Sequence, residues 1–340
     1  MPARARHRGR PALPAIALCA LLCLPLTRPV SAADIPVSSR TITQFTPGSD
    51  RRIFGKLEFL GGIAYSSSSP LLGAVSAIRF RDDREHFVSV LDTGHWLTGR
   101  IERDSEGRLS GLAGMKIRSM IDRDGRDGNP KEKMDAEGLA ISRGELLVSF
   151  EGLHRIDAYP DPGFMDAGPK RRLPLPIERR EIRRNRGMET LAMSPAEGPL
   201  GNMPVAVTER SLDAAGNVFA AVLAGPRAGL FAVKRSEPWD ITDGAFLPNG
   251  DLLLLERRFR FSDGMGMRIR RIAGDTIRPG AVVDGEVLID ADLRQQIDNM
   301  EGLDVVAMAK DDIRIIVVSD DNHSILQRNL MLEFRLLPEK

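Results

Sequence analysis

Cysteine is almost missing from this 340-residue chain: Cys19 and Cys23 both lie in the first thirty residues, inside the apolar run Ala15 to Leu24. The remainder therefore has neither a disulfide framework nor a thiol nucleophile. No segment after that run approaches 18 consecutive apolar residues, so no spanning helix is expected. A dominant charge of one sign is also missing, with 48 basic against 47 acidic residues. That balance excludes a polybasic nucleic-acid tail and an acidic tail as the leading feature. Aromatic residues make up only 5%. There is no Gly-x-Ser-x-Gly elbow, no His-Glu-x-x-His, no P-loop and no Gly-x-Gly-x-x-Gly. Serine esterases of the α/β-hydrolase type, zincins and nucleotide-binding folds thus lack their signatures.

What is present is ample apolar material, 42%, with 32 glycines and 22 prolines to make turns. The N-terminus reads as a secretory signal. Arg4, Arg6, Arg8 and Arg10 precede the apolar run, and Val30-Ser31-Ala32 follows it. Residues 1–32 are assigned to the signal, with cleavage after Ala32 and export to the periplasm or medium. Leu22 before Cys23 disfavours a lipoprotein cysteine, because that position takes a small residue. Removing the five arginines of residues 1–32 takes the 48 basic residues to 43 against 47 acidic ones, a net charge of −4. Residues 33–52 read as an N-terminal extension and residues 53–340 as one domain.

That domain repeats. A small polar or acidic residue opens an apolar strand at Val75-Ser76-Ala77, Ala136-Glu137-Gly138, Met188-Glu189-Thr190, Thr242-Asp243-Gly244 and Met300-Glu301-Gly302. The second positions are 61, 52, 54 and 58 residues apart. Each interval has room for about four short strands. Turn residues such as Ser142-Arg143-Gly144 and Pro248-Asn249-Gly250-Asp251 lead into a second apolar run. The spacing predicts an all-β fold, a single β-propeller of four-stranded blades. Five blades are counted, and a sixth is possible if residues 41–72 and 160–186 hold more strands. The lone strand Lys56 to Gly62 is expected to close the last blade beside Asn329 to Leu336.

The second strand of each repeat ends on a polar residue: Asp92, Glu151, Glu209, Glu256 and Asp320. Antiparallel pairing brings the start of strand one and the end of strand two to the same face. Ser76, Glu137, Glu189, Asp243 and Glu301 then form an inner ring at one mouth, with the strand-two acids around them. Crowded carboxylates must be offset by a cation, by arginines or by protons. Arg155, Arg210, Arg257, Arg258 and Arg328 lie close in sequence. The oxygen-rich set Asp92, Glu151, Asp243, Asp320 and Asp321 suits a hard cation such as Ca2+. The alternative is that each acid bonds blade-edge backbone and pairs with arginine.

Three histidines, His95, His154 and His323, each follow a strand-two acid by three residues. They read either as acid/base or ligand groups in one sector, or as a packing slot inherited by duplication. Asp122 to Gly128 resembles a calcium loop but departs from the EF-hand pattern at Arg126 and Lys133, and reads better as a solvated turn. Lys170 to Arg186 is rich in arginine; it either draws in an anionic substrate or is a solvated connection.

Several segments together resemble the phytase-like family, the "esterase-like activity of phytase" group. They are Gly73 to Phe80, Ser89 to Trp96, Asp135 to Ala140, Val148 to Ile156, Asn299 to Leu303, Ser319 to Asn322 and Gln327 to Leu332. The resemblance spans about residues 53–336. It implies an exported propeller related to phosphate-ester or carboxyl-ester hydrolases. On that reading Glu137, Glu189, Glu301, His95, His154 and His323 are the candidate catalytic groups, and Arg155, Arg210, Arg257 and Arg328 hold a small-molecule ester. A monomer is expected, with no nucleic-acid partner and no membrane attachment after cleavage. The competing reading is a non-catalytic propeller that binds a ligand at the same mouth.

Overall fold

A computed structural model describes Met1, residues 32–262 and residues 264–338. The rest of the expected signal lies outside the described residues. Among the described residues no helix is long and apolar enough to cross a membrane.

The chain forms five small antiparallel sheets set around a central channel, a five-bladed β-propeller. From the channel outward, the first blade runs Val75–Phe80, His86–Leu91, His95–Arg103 and Leu109–Ser119. The second runs Ala136–Ser142, Glu145–Phe150, Arg155–Pro160 and Arg171–Leu173. The third runs Met188–Met193, Pro204–Leu212, Val218–Val222 and Gly229–Val233, with Val282–Val283 added in parallel at its rim. The fourth runs Asp240–Phe246, Leu252–Arg260, Gly264–Ile272 and Gly285–Asp292. The fifth begins Asn299–Ala309, Asp312–Asp320 and Asn329–Leu336.

The fourth strand of that last blade comes from the other end of the chain. Leu57–Ser67 pairs with Asn329–Leu336 in a register that sets Gly62 opposite Leu332. The expected closure is therefore present, and it removes the open edges of a linear sheet array. Residues 33–52 join in as well. Val37–Ile42 adds a strand outside Leu57–Ser67, and Ala33–Asp34 pairs with the rim of the first blade. The segment read as an extension is thus part of two blades.

Five apolar clusters hold the ring, one at each junction between neighbouring blades. The junction of blades four and five, for example, packs Leu253, Leu255 and Ile269 against Leu303, Val317 and Phe334. A blade strand is covered on both faces by its neighbours, which is why Val75–Phe80 is buried along its whole length. Position in the ring is set by these packed faces, and the side chains at the strand ends are left to line the mouth.

Candidate active site

Every innermost strand begins with a register shift. It falls between Val75 and Ala77, between Met188 and Thr190, between Ile241 and Asp243, and between Met300 and Gly302. In the second blade the shift lies opposite Val148 to Phe150 and takes in Glu137. A bulge leaves one residue unpaired and re-aims its side chain. The re-aimed residues are Ser76, Glu137, Glu189, Thr242 and Glu301, so four of the five expected inner positions are in place.

The fourth blade corrects the expectation. Ile241 pairs with Glu256, so Thr242 takes the inner slot and Arg257 takes the slot that Asp92, Glu151, Glu209 and Asp320 occupy elsewhere. The sequence reading was one residue out of step here. A shift of one reverses every side chain, because strand alternation has a period of two. Glu256 instead pairs with Arg268 and, at 2.5 Å, with Arg270. Asp243, expected among the cation ligands, is engaged by the chain itself. Its two oxygens accept from Nη1 and Nη2 of Arg79, each at 2.8 Å, and both residues are buried. The same guanidinium donates to the carbonyls of Leu191, Gly244 and Leu303, so it ties blade one to blades three, four and five. Arg79 and Asp243 plug the channel and make the mouth a blind funnel.

Asp135, Glu137 and Glu151 converge in that funnel, each offering an oxygen within 4.8 Å of the others. Glu189 lies within hydrogen-bond reach of Glu151, as Asp135 does of Glu137. Burial and the neighbouring charges of Asp135, Glu151, Asp92 and Glu301 push the Glu137 carboxyl well above its ordinary range. Glu189 is pushed the same way by burial and then by Glu137, Glu151, Glu209 and Glu301. Burial takes Glu151 up to about 7, although the Gly187 N–H donates to it. Asp320, also buried, rises to about 6. These shifts share one cause: carboxylates removed from water with too few cations near them.

Among the described residues three cations reach the cluster: Lys131, Arg257 and, 4.0 Å from Glu209, Arg186. Lys131 pairs with Asp92 and lies 3.6 Å from Asp135. Arg257 pairs with Glu301 at 2.6 Å and Glu209 at 3.5 Å. Burial raises the Glu301 carboxyl to about 7 even though Arg257 opposes the shift. Asp135 went unnoticed in the sequence reading. The signal was there, since Asp135 and Glu137 are two apart at a strand start and share a face.

The other expected residues fall in different places. Arg155 does not reach the funnel; it pairs with Asp157 at 2.8 Å and donates to the carbonyls of Leu153 and Lys133. Arg328 is held by Asp298, Gln296 and the Ile297 carbonyl. Arg210 makes a 3.5 Å contact with Asp240 at the funnel's edge. Asp321 accepts from the His323 N–H and from Asn329, so its oxygens serve its own loop. His95 is turned away, sharing hydrogen bonds with Thr93 and Ser119. His154 and His323 pack on glycines that lead into the next blade. A Cβ on Gly187 would sit 2.9 Å from Nδ1 of His154, and one on Gly73 would sit 2.9 Å from Nδ1 of His323. Both contacts lie at blade seams, the geometry expected of a packing slot. His154 is also buried, which lowers its pKa.

A model of the phytase-like family, described as "Esterase-like activity of phytase", matches residues 70–323. No curated protein matches the chain. Among solved structures, the β-propeller domain of Cps50 (Swd1) from Myceliophteria thermophila is similar at 12% identity and a TM-score of 0.36, covering 73% of this chain and 67% of that one.

Proposed function

The chain belongs to the phytase-like family, and from that premise we propose that it hydrolyses phosphate or other esters at the acidic funnel with the help of a divalent cation. The observation that carries this reading is the convergence of Asp135, Glu137 and Glu151 within 4.8 Å. The donor set is all oxygen and fits a hard cation such as Ca2+. The raised carboxyls fit it too, because a cation would relieve the repulsion that raises them. When bound, the cation would polarise the ester oxygen.

The chain's own groups supply the proton chemistry. Glu189, pushed well above its ordinary range by burial and its acidic neighbours, is the group suited to give a proton to a leaving oxygen. Glu301, near 7, is poised to accept one from water, and Arg257 beside it stabilises the charged form. Recessed walls exclude bulk water and strengthen both effects. We place the activity outside the cytoplasm, after cleavage of residues 1–32, in a monomer.

The test is a panel of phosphate and carboxylate esters assayed with chelator and with added Ca2+. Turnover that chelator abolishes and Ca2+ restores supports the reading. Turnover indifferent to chelator removes the cation, and no turnover on any ester leaves a ligand-binding propeller.

A further inference from the structure

The second and third strands of blade four run past the body of the blade. Asp240 opposite Arg257 is the last pair with the innermost strand, yet Arg258, Phe259 and Arg260 still pair with Gly266, Met265 and Gly264. The result is a two-stranded wall standing above the funnel. Behind it, toward blades three and five, lies a cleft of about 520 Å3 that reaches Glu209 and Arg257.

One side of this cleft is rich in cations. Arg186, Arg210 and Arg235 all point at the single carboxylate of Asp240, at 3.2, 3.5 and 3.3 Å. Arg235 is shared with Glu237 and Arg186 also lies 4.0 Å from Glu209, so the loosest contact on Asp240 is that of Arg210, which lines the cleft together with Arg186. The other side is apolar. Phe259 and Met265 line it, and exposed Phe259 packs edge-on against exposed Phe261 with ring centroids 5.4 Å apart. A Cβ on Gly266 would lie 2.7 Å from Nε of Arg258, so this glycine leaves room for the Arg258 side chain against the wall.

We propose that this cleft is a substrate subsite for an ester with an anionic head and an apolar substituent. Arg186 and Arg210 hold the head, and Phe259 and Met265 pack against the substituent. The proposal rests on the hydrolase reading and narrows it, because a purely polar polyanion would leave the aromatic wall without a partner.

Binding can be read without turnover. Phenylphosphonate and methylphosphonate carry the same head and differ in the ring, and calorimetry in chelator removes any cation from the measurement. The expected result is about tenfold tighter binding of phenylphosphonate, a modest gain from burying part of a ring. Phe259→Ala should erase most of that gain and leave methylphosphonate binding unchanged. Arg210→Gln should weaken both ligands by a similar factor. Phe259 is exposed, so its replacement leaves the fold intact, and an unchanged melting curve checks this. Equal affinity for the two ligands, selectivity that survives Phe259→Ala, or no binding of either overturns the subsite. These results are independent of the ester panel: active enzyme without selectivity sinks the subsite alone, and selective binding without turnover sinks the hydrolase reading alone.

Discussion

Replacing Asp243 by asparagine separates the two frames in which the fourth blade can be read. Both oxygens of Asp243 are taken by Arg79, one also accepts the Leu303 N–H, and neither side chain meets solvent to any useful degree. Asp243→Asn keeps the shape and removes the charge, so the Arg79 guanidinium stays buried without its counterion. Breaking such a pair from one side costs about 3–5 kcal/mol. In a chain of this size that corresponds to a fall of roughly 5–8 °C in melting temperature. The loss should be the same in chelator and in Ca2+, because Asp243 faces the plug and not the acid cluster. Scanning calorimetry in both buffers measures it. A companion variant, Arg79→Met with Asp243→Leu, should recover part of the loss by removing both charges together. If Asp243→Asn melts like wild type in chelator but loses a calcium-dependent rise, Asp243 is a cation ligand and the one-residue shift of the fourth blade is wrong.

Three further outcomes follow from the funnel and the leader. Without a cation, stability should fall as pH rises from about 5 to 8. The Glu151 and Glu301 carboxyls sit at about 7 and Asp320 at about 6, all above their unfolded values, so their contribution is complete below the unfolded range and is lost as pH passes the folded values. Asp312, lowered to about 2, acts below this window; a melting temperature that climbs across it would contradict the sign. Ca2+ at a hundredfold excess over its dissociation constant should stabilise the protein by about 2.7 kcal/mol. Asp135→Asn or Glu137→Gln should shrink that rise, and identical wild-type curves in Ca2+ and chelator would remove the cation. N-terminal sequencing of the exported protein should begin at or near Ala33, and recovery of an uncleaved cytoplasmic chain would refute the leader.

Much of the ring could be read from residues alone because duplication had left the same pair at the same place. Glu137, Glu189 and Glu301 each open an apolar strand, and Glu151, Glu209 and Asp320 each end the next one. The closing strand was legible because Leu57–Ser67 is apolar and its neighbours in the chain, Val37–Ile42 and Ile53–Phe54, leave one of its edges for a distant partner. The fourth repeat misled because Asp243-Gly244 imitates Glu301-Gly302 in letters. A bulge carries no letter of its own, so only the pairing of Ile241 with Glu256 fixes the frame. Arg79 was invisible for another reason. Its partner lies 164 residues away, and Ala77-Ile78-Arg79-Phe80 does not say whether the arginine meets water or a carboxylate. His154 and His323 share a spacing because they share a seam position, whereas His95 at the same spacing is turned to Thr93 and Ser119.

The corrected frame also divides the funnel. Were the fourth blade to carry an acid in the slot of Arg257, the strand-two acids would form an unbroken circle and Glu301 would lose its ion-pair partner. With Arg257 there, Glu301 and Glu209 have a permanent counter-charge. Asp135, Glu137 and Glu151 on the opposite side have Lys131, a half-exposed side chain that leans mainly on Asp92, while Glu189 stands between them, within the field of Arg257. Those two halves call for different solutions. Around Arg257 the charge is already met by the chain, and the adjoining cleft presents Arg186 and Arg210 to an anion. Around Glu137 it is met only by protons or by a cation from solution, and protons become scarce as the pH rises toward 8. An ester spanning the funnel would set its anionic head against the arginines of blades three and four and its scissile bond over the carboxylates of blades two and three. Exchange of Thr242 and Arg257 for the residues of another blade should therefore cost the protein this polarity before it costs the fold.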